Sequence, residues 1–155
     1  LSQFLHFIKD KPVTFRFIEL MRTSDNQAYF NEQHLSGNSI YSSLENVGWT
    51  LQPKAADAGP ALELSHPDYL GQIGLIMPYS KDFCASCNRL RISADGKLHL
   101  CLVGEANDDL TPWLNDGDAK GLAAYLTNRV LTKWQGHQLN QGNSGLTKHL
   151  AMLGG

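Results

Sequence analysis

Three cysteines, Cys84, Cys87 and Cys101, fall within a short stretch of this chain in the spacing C-x2-C-x13-C. An odd number of cysteines cannot all pair as disulfides within one chain. Two thiolates separated by two residues sit on one turn, where a single metal ion or cluster can bind both. Asp95-Gly96 is a strong two-residue turn signal, which predicts a hairpin that returns Cys101 to a position opposite Leu90. The three sulfurs can therefore converge, and the pattern predicts a metal or cluster site.

Several interpretations of the cysteines stay open on spacing alone. A structural zinc site usually has four protein ligands, and His99 is a candidate for the fourth. An iron–sulfur cluster normally takes four cysteines, so three would leave one iron with an open position, which is a reactive feature rather than a structural one. An electron-carrying iron–sulfur domain would need a fourth cysteine. The simplest interpretation is a set of buried cysteines that bind nothing.

Two arginines follow the second cysteine in the segment Arg89-Leu90-Arg91. Residues two apart on a strand share a face, so we expect both guanidinium groups to point the same way. Such a pair makes a forked anion site that suits phosphate groups. The simpler interpretation is an exposed strand with ordinary surface charges. Beside three thiolates, the pair favours a site that holds an anionic substrate against an open metal position.

Hydrophobic periodicity and turn signals predict the elements that must position these residues. Residues 1–8 carry an apolar stripe at helical spacing, and residues 13–20 are rich in β-branched and aromatic side chains, which predicts a strand. A helix followed by an apolar strand suits the last unit of a βα repeat, with the strand buried in a parallel sheet. Residues 21–37 are polar and predict a loop, and residues 40–47 predict a short helix ended by Gly48.

The rest of the chain predicts short strands and one longer helix. The strand candidates are residues 49–52, 61–64, 71–77, 88–93 and 97–102. Residues 110–114 predict a short helical turn, and residues 119–134 the longest helix, with Leu122, Leu126 and Val130 on one face. The predicted fold class is α+β, with one barrel-type strand followed by a small, mostly antiparallel sheet with helices.

Composition limits the partners that the chain can have. Its 155 residues carry a formal net charge of -2, with 42% hydrophobic and 18% charged residues, which is ordinary for a globular protein. This charge gives no general attraction to nucleic acids or membrane surfaces, so any anion site must be local. No apolar run approaches the ~20 residues needed to cross a bilayer, and residues 1–10 lack the order of a signal peptide. We therefore expect a cytoplasmic protein.

The residues around the cysteines resemble a known family. The run of residues 82–91, continued by residues 95–98 and 101–102, is similar to the C-terminal signature of GTP 3′,8-cyclases, the radical SAM enzymes that begin molybdenum-cofactor synthesis. Residues 16–21 resemble the family's last barrel strand, and the final two glycines resemble its double-glycine tail. Further similar segments are residues 66–69 and 73–78. The resemblance covers nearly the whole chain.

The resemblance implies the residues that bind the cofactors. Cys84, Cys87 and Cys101 would hold a 4Fe–4S cluster whose open iron binds the guanine base of GTP. Met21, which ends the strand motif, would contact S-adenosylmethionine (SAM).

The resemblance also implies the residues that serve the substrate. Arg89, Leu90 and Arg91 would lie against GTP and bind it. Gly154 and Gly155 would reach toward the active site and support catalysis, although small residues at a terminus rarely stay ordered without partners.

For the whole enzyme, the resemblance implies a radical reaction. An N-terminal cluster reduces SAM, the resulting radical removes hydrogen from C3′ of GTP, and the ribose radical attacks C8 of guanine. The product, 3′,8-cyclo-7,8-dihydro-GTP, passes to cyclic pyranopterin monophosphate synthase. The C-terminal cluster would contribute by holding GTP in place, because the placement of reacting atoms lowers a barrier.

One part of the family pattern is absent from this chain. Family members carry a C-x3-C-x2-C motif for the SAM-cleaving 4Fe–4S cluster, and this chain has no such motif and no spare cysteine. Residues 1–22 would be the remnant of the last helix and strand of a partial TIM barrel, and residues 23–155 the C-terminal iron–sulfur and GTP-binding domain. Because the motif is missing, we expect the chain alone to be inactive. We also expect a homodimer, because the unpaired edge of the barrel strand can pair with a second chain.

Overall fold

A computed structural model describes residues 1–55, 58–81, 83–85, 87, 89–104, 108–133 and 136–145. Within these residues the helices are α1 (Ser2–Ile8), α2 (Gln27–Gln33), α3 (Gly37–Glu45), α4 (Thr111–Asp116), α5 (Ala119–Leu131) and a short 3-10 helix (Leu139–Gln141). The strands are β1 (Thr14–Ile18), β2 (Thr50–Leu51), β3 (Leu62–Ser65), β4 (Gln72–Ile76), β5 (Arg91–Ile92), β6 (Lys97–His99) and β7 (Asp108–Asp109). The α+β class is confirmed. None of the helices in these ranges is long and apolar enough to cross a membrane.

The chain divides into two compact units. The first comprises Leu1–Leu20 and Glu32–Cys87, and the second comprises Met21–Asn31 and Asn88–Gly155. The sequence predicted a different division, with residues 1–22 as the remnant of a partial TIM barrel and residues 23–155 as the C-terminal domain. That residues 1–22 belong to such a barrel stays a prediction.

The first unit contains a four-stranded mixed sheet in the order β1-β4-β3-β2. β1 runs parallel to β4, with Thr14 opposite Gln72, whereas β3 and β2 add in antiparallel fashion. The predicted strand and its parallel pairing are therefore confirmed. The prediction that this strand is buried was wrong, because β1 lies at the sheet edge and alternates exposed with half-buried residues. Ile18 is 64% exposed for this reason.

β4 is the central strand because it has neighbours on both sides and a nearly continuous apolar sequence. Parallel strands that are buried on both faces are typically apolar in this way. The core around it contains Ile8, Leu44, Trp49, Leu64, Ile73, Leu75 and Met77. α1 and α3 each supply one of these fully buried residues, which fixes both helices against the sheet.

Gly74 in β4 permits an ion pair to cross the surface of this sheet. It lies between Arg16 on β1 and Glu63 on β3. Arg16 Nη2 reaches Glu63 Oε1 at 2.8 Å, and a Cβ at Gly74 would come within 2.7 Å of Arg16 Cγ. A larger residue at this position would displace the arginine, so the glycine is required by the close approach rather than by its backbone conformation.

Replacing Leu64 with alanine is expected to lower the free energy of unfolding by ~2–5 kcal/mol, because the side chain is fully buried and its removal leaves a cavity. Leu51 lies opposite Leu64 on β2 but is 48% exposed. Leu51→Ala should therefore cost less than ~1 kcal/mol. Urea unfolding followed by circular dichroism compares the two variants, and equal losses would contradict the assigned core.

Residues 21–37, predicted to form a loop, contain α2. The side chain of Asn26 closes a turn just before this helix: its Oδ1 accepts from the amide of Thr23 at 2.8 Å and its Nδ2 donates to the carbonyl of Met21 at 2.9 Å. The carbonyl of Asn26 then accepts from the amide of Phe30 at 2.8 Å. Polar residues that suggested a loop thus start a short helix, since asparagine side chains can satisfy local backbone groups.

The second unit contains a three-stranded antiparallel sheet in the order β5-β6-β7. Its core consists of Leu98, Leu100 and Leu110, against which pack the half-buried residues Trp113, Leu122, Tyr125 and Leu126. The predicted helical turn and long helix correspond to α4 and α5. Val130, predicted on the same face as Leu122 and Leu126, is 45% exposed, so the apolar face of α5 ends one turn earlier than expected.

Candidate functional site

The C-x2-C segment lies at the end of the first unit, where the chain turns repeatedly after β4. The amide of Ser80 donates to the carbonyl of Met77 at 3.0 Å, that of Phe83 to Ser80 at 3.3 Å, and that of Cys87 to Cys84 at 3.1 Å. Each bond spans three residues, as in a β-turn, which keeps the terminal Cα atoms within ~7 Å. Cys84 and Cys87 thus occupy the two ends of one turn. Both are half-buried, and neither takes part in a disulfide.

Cys101 belongs to the second unit and follows β6 after one residue, Leu100. It is also a half-buried free thiol. The neighbouring Leu100 and Val103 are buried, at 7% and 5% exposure. A Cβ at Gly104 would lie 3.1 Å from the Cβ of Cys101, so the chain folds back closely after the cysteine. This position is therefore held by packing on both sides.

The hairpin before Cys101 differs by one residue from the prediction. Arg91 pairs with His99, and the turn contains three residues, the last of which is Gly96 with φ 78°. Three-residue hairpin loops place a residue of left-handed conformation at this position, which favours glycine. The prediction of a two-residue turn, with Cys101 opposite Leu90, was therefore wrong by one position.

Only part of the Arg-Leu-Arg segment lies on a strand. β5 begins at Arg91, whereas Arg89 and Leu90 precede it and are exposed. The carbonyl of Arg89 accepts a hydrogen bond from Nζ of Lys133 at 2.8 Å, so a side chain rather than a neighbouring strand holds this residue. The expectation that both arginines share one strand face is therefore not met. In the part of the chain that the structure describes, neither guanidinium group forms an ion pair.

His99, the predicted fourth ligand of a zinc site, lies opposite Arg91 on β6. Its pKa is lowered mainly because burial disfavours the charged imidazolium; Asp95 opposes this shift, and Lys97 and Arg91 reinforce it. The neutral ring is the form that binds metals. Nevertheless, the described residues contain no group of three or more His, Cys, Asp or Glu side chains that could hold a metal ion. The zinc alternative therefore has no support.

A polar network fixes the end of α5 in the second unit. Asp108 Oδ2 accepts from Nε of Arg129 at 2.7 Å, and both side chains are mostly buried, at 21% and 28% exposure. The pKa of Arg129 is raised chiefly by this hydrogen bond. Nη1 of Arg129 also donates to the hydroxyl of Thr132 at 3.1 Å, and that hydroxyl donates to the Arg129 carbonyl at 2.9 Å. The network holds β7 to α5 next to Lys133.

A cavity of about 390 Å³ lies in the second unit beside this network. Its lining includes Cys101, Arg129, Lys133, His137 and Asn143. The volume is within the range of small-molecule sites, ~300–1,000 Å³. The lining therefore combines these polar residues with apolar side chains such as Leu100 and Val103, and the guanidinium group of Arg129 is already bonded to Asp108.

Asp118 directly precedes α5 and caps its first turn. Its Oδ1 accepts a hydrogen bond from the amide of Gly121 at 2.9 Å, which satisfies a free donor at the helix start. We expect Asp118→Ala to lower the unfolding free energy by ~1 kcal/mol, and Asp118→Asn to change it by only a few tenths because asparagine caps equally well. Urea unfolding measures both variants. An equal loss in both would mean that the cap is not responsible.

The remaining predicted site residues are described in part. Met21 belongs to the second unit and is nearly buried at 9% exposure. Its carbonyl accepts from Nδ2 of Asn26 at 2.9 Å, which fixes its backbone. Gly154 and Gly155 lie outside the described residues.

Sequence reasoning missed Lys133, Arg129 and Asp108 as a group. Lys133 is 44 residues from Arg89, and Arg129 is 21 residues from Asp108. No local motif connects positions so far apart. A basic residue just after a helix is common because it interacts favourably with the last carbonyls. That general signal could not have identified the carbonyl that Lys133 binds.

The three cysteines suit iron–sulfur ligation by their chemistry. Thiolates are soft ligands of the type that iron–sulfur clusters require. Cys84 and Cys87 share one turn of the first unit, and Cys101 belongs to the second. The thiolates have the chemistry of cluster ligands, but among the described residues no three of them form a group that could hold a metal ion, so cluster binding by these cysteines stays a prediction.

Comparisons with known proteins identify relatives of the chain. The family described as Molybdenum Cofactor Synthesis C matches residues 13–139. Among curated proteins, the chain is 54% identical to a GTP 3′,8-cyclase of Haemophilus ducreyi, covering all of the chain and 46% of that protein. It is 51% identical to proteins of the same name from Stenotrophomonas maltophilia and Vibrio vulnificus, covering all of the chain and 48% and 47% of them. The chain spans about half the length of these relatives, and it matches their C-terminal part.

Proposed function

Because this chain belongs to the Molybdenum Cofactor Synthesis C family, we propose that it serves as the C-terminal part of a GTP 3′,8-cyclase. That enzyme converts GTP to 3′,8-cyclo-7,8-dihydro-GTP, the first step of molybdenum cofactor biosynthesis. In this proposal the chain binds a 4Fe–4S cluster and GTP. The observation that carries it is that two thiols on one turn, Cys84 and Cys87, are followed by the exposed Arg89, whose carbonyl is bonded to Lys133, and by the half-buried Arg91.

Cys84, Cys87 and Cys101 are the proposed cluster ligands. The turn between the first two is closed by a backbone hydrogen bond, so their spacing does not depend on the cluster. When bound, the cluster would supply one iron with an open position for the guanine base. The role of the thiolates is to hold it and to leave that position unfilled.

Arg89, Leu90 and Arg91 are the proposed GTP-binding residues. The guanidinium groups form no ion pair among the described residues, so an incoming phosphate need not displace a carboxylate. Charge-assisted hydrogen bonds to phosphate are among the stronger polar contacts. With the base and the phosphates both held, the ribose between them would be fixed for reaction.

Further roles are proposed for the whole enzyme. Met21 would contact SAM, which supplies the radical chemistry, and Gly154 and Gly155 would support the active site. The product would pass to cyclic pyranopterin monophosphate synthase. We place the enzyme in the cytoplasm, and we propose a homodimer. The chain alone should bind GTP without converting it, because it carries no C-x3-C-x2-C motif for SAM cleavage.

The test is metal analysis of the chain after anaerobic reconstitution with iron and sulfide. Iron, sulfide and zinc are measured, and the visible spectrum is recorded before and after GTP is added, with ATP as the control nucleotide. We expect about four irons per chain and a spectral change with GTP that ATP does not reproduce.

Two other outcomes would contradict the proposal. Stoichiometric zinc without iron uptake and without a GTP response would indicate a zinc-stabilised interaction module. Binding of neither metal would mean that these cysteines form no metal site in the chain.

A further inference from the structure

Lys133 connects the end of α5 to the segment that carries the exposed Arg89 and the half-buried Arg91. Its Nζ donates to the carbonyl of Arg89 at 2.8 Å. We infer that Lys133 is a positioning residue for nucleotide binding, which fixes the backbone of Arg89 so that its guanidinium group faces the phosphates of GTP beside Arg91, which β6 already restrains. This inference rests on the proposed function and assigns Lys133 no contact with the reacting atoms.

The Arg-Leu-Arg segment is short and would be loose without this bond. Arg91 is held by pairing with His99 on β6. Arg89 and Leu90 precede the strand and are exposed, and within the described ranges they take part in no strand pairing. The bond from Lys133 therefore restrains one end of the segment, as β6 restrains the other. A segment restrained at both ends loses less conformational entropy when a ligand binds.

The position of Lys133 is itself well determined. Its amide donates to the carbonyl of Val130 at 3.1 Å, which continues the last turn of α5. The Asp108–Arg129 pair and the hydroxyl of Thr132 hold that turn to β7. β7 pairs with β6, and β6 pairs with β5, which begins at Arg91. These contacts connect the end of α5, through β7 and β6, to β5 and so to the segment that Lys133 restrains.

Lys133 could alternatively bind a phosphate directly, since an ammonium group has three donors and Lys133 lines the cavity beside Cys101. The two roles predict different results. A positioning residue acts through Arg89, so its effect should vanish when Arg89 is removed. A direct ligand contributes independently of Arg89, so its effect should persist.

The experiment measures the dissociation constants of GTP and guanosine for the reconstituted 155-residue chain. Lys133→Met removes the donor and keeps the aliphatic stem, and Lys133→Arg keeps a cationic donor. Lys120→Met removes the same charge from an exposed position in the first turn of α5. We expect Lys133→Met to weaken GTP binding about tenfold, as for loss of one hydrogen bond from a charged group. Guanosine binding should change less than about twofold, and Lys133→Arg and Lys120→Met should bind GTP nearly as the wild type does.

The decisive step is a double-mutant cycle with Arg89→Gln. In the Arg89→Gln chain, adding Lys133→Met should change GTP binding less than about twofold. Additive effects would overturn the inference in favour of direct phosphate binding, and equal weakening of GTP and guanosine would overturn it in favour of a general structural role. If Lys133→Met fails to take up the cluster, Lys133→Leu, which also removes the donor, replaces it in the same cycle.

The outcomes separate this inference from the proposed function. Unchanged GTP affinity in Lys133→Met would overturn the positioning role while wild-type binding still supports the proposed function. Failure of the wild-type chain, loaded with its cluster, to bind GTP would overturn both.

Discussion

Replacing Cys87 with alanine is expected to abolish cluster assembly, so that iron falls from about four per chain to less than about one after anaerobic reconstitution. The reason is the size of the ligand set. The chain has three cysteines and no spare one, so the loss of a single thiolate leaves two, too few to retain a cluster that already has an open position. The visible absorption of the cluster should disappear with the iron.

Ala85→Ser is the matched control for this variant. Ala85 is an exposed residue inside the same turn, between the two cysteines. The substitution adds a polar atom to the turn and removes no sulfur, so iron content should equal that of the wild type. Cys101→Ala should lose iron as completely as Cys87→Ala, although it is 14 positions away in the sequence and belongs to the other unit.

The pair of cysteine variants distinguishes a shared cluster from separate thiols. If Cys101→Ala retains full iron while Cys87→Ala loses it, Cys101 is not a ligand and the proposed set is wrong. If both retain iron, the metal is bound elsewhere and the cluster assignment fails for all three cysteines.

Replacing Arg91 with alanine is expected to weaken GTP binding by a factor of about 10 to 100. A hydrogen bond between charged groups contributes ~1.5–3 kcal/mol, and each 1.4 kcal/mol is a factor of ten in affinity. Arg91 begins β5 and pairs with His99, so its backbone position should survive the substitution. Guanosine, which has no phosphates, should bind the variant nearly as well as it binds the wild type.

Lys97→Met provides the matched control for Arg91→Ala. Lys97 lies in the same hairpin, on β6, and its Nζ is 3.5 Å from Asp95. Its removal lowers the charge of the hairpin by the same amount, so a nonspecific effect of charge would weaken GTP binding in both variants. Equilibrium titrations at two salt concentrations measure the difference, because screening reduces a long-range charge effect more than a direct contact. Unchanged GTP affinity in Arg91→Ala would defeat the assignment of this segment to the phosphates.

Sequence reasoning located the regular elements best where apolar periodicity is strong. The strands around Ile73 and Leu64, the first helix with Ile8 and the long helix with Leu122 and Leu126 all lie where residue patterns placed them. The apolar residues that form the sequence pattern are the same ones that pack against the core and stabilise the element. The pattern can therefore be recognised from neighbouring residues alone.

The errors have a different physical origin, because each depends on a partner far away in the sequence or on a single backbone conformation. β1 has the composition of a buried strand, yet its burial is decided by how many neighbours pair with it. The hairpin register depends on the left-handed conformation of Gly96, which adds one residue to the turn. α2 was missed because polar side chains favour both loops and helix starts. The bond from Lys133 to Arg89 could be found only in three dimensions.

The pairing of β1 with β4 has a consequence for how the chain folds. These strands pair in parallel although Thr14 and Gln72 are 58 residues apart. β3 and β4 are joined by a short connection and pair in antiparallel fashion, so they can meet early at little entropic cost. β1 can pair with β4 only after a long loop has closed, and such nonlocal pairing slows folding. We therefore expect β1 to join the sheet last, and its amides to exchange with solvent faster than those of β4, since an edge strand paired on one side opens without disturbing the rest of the sheet.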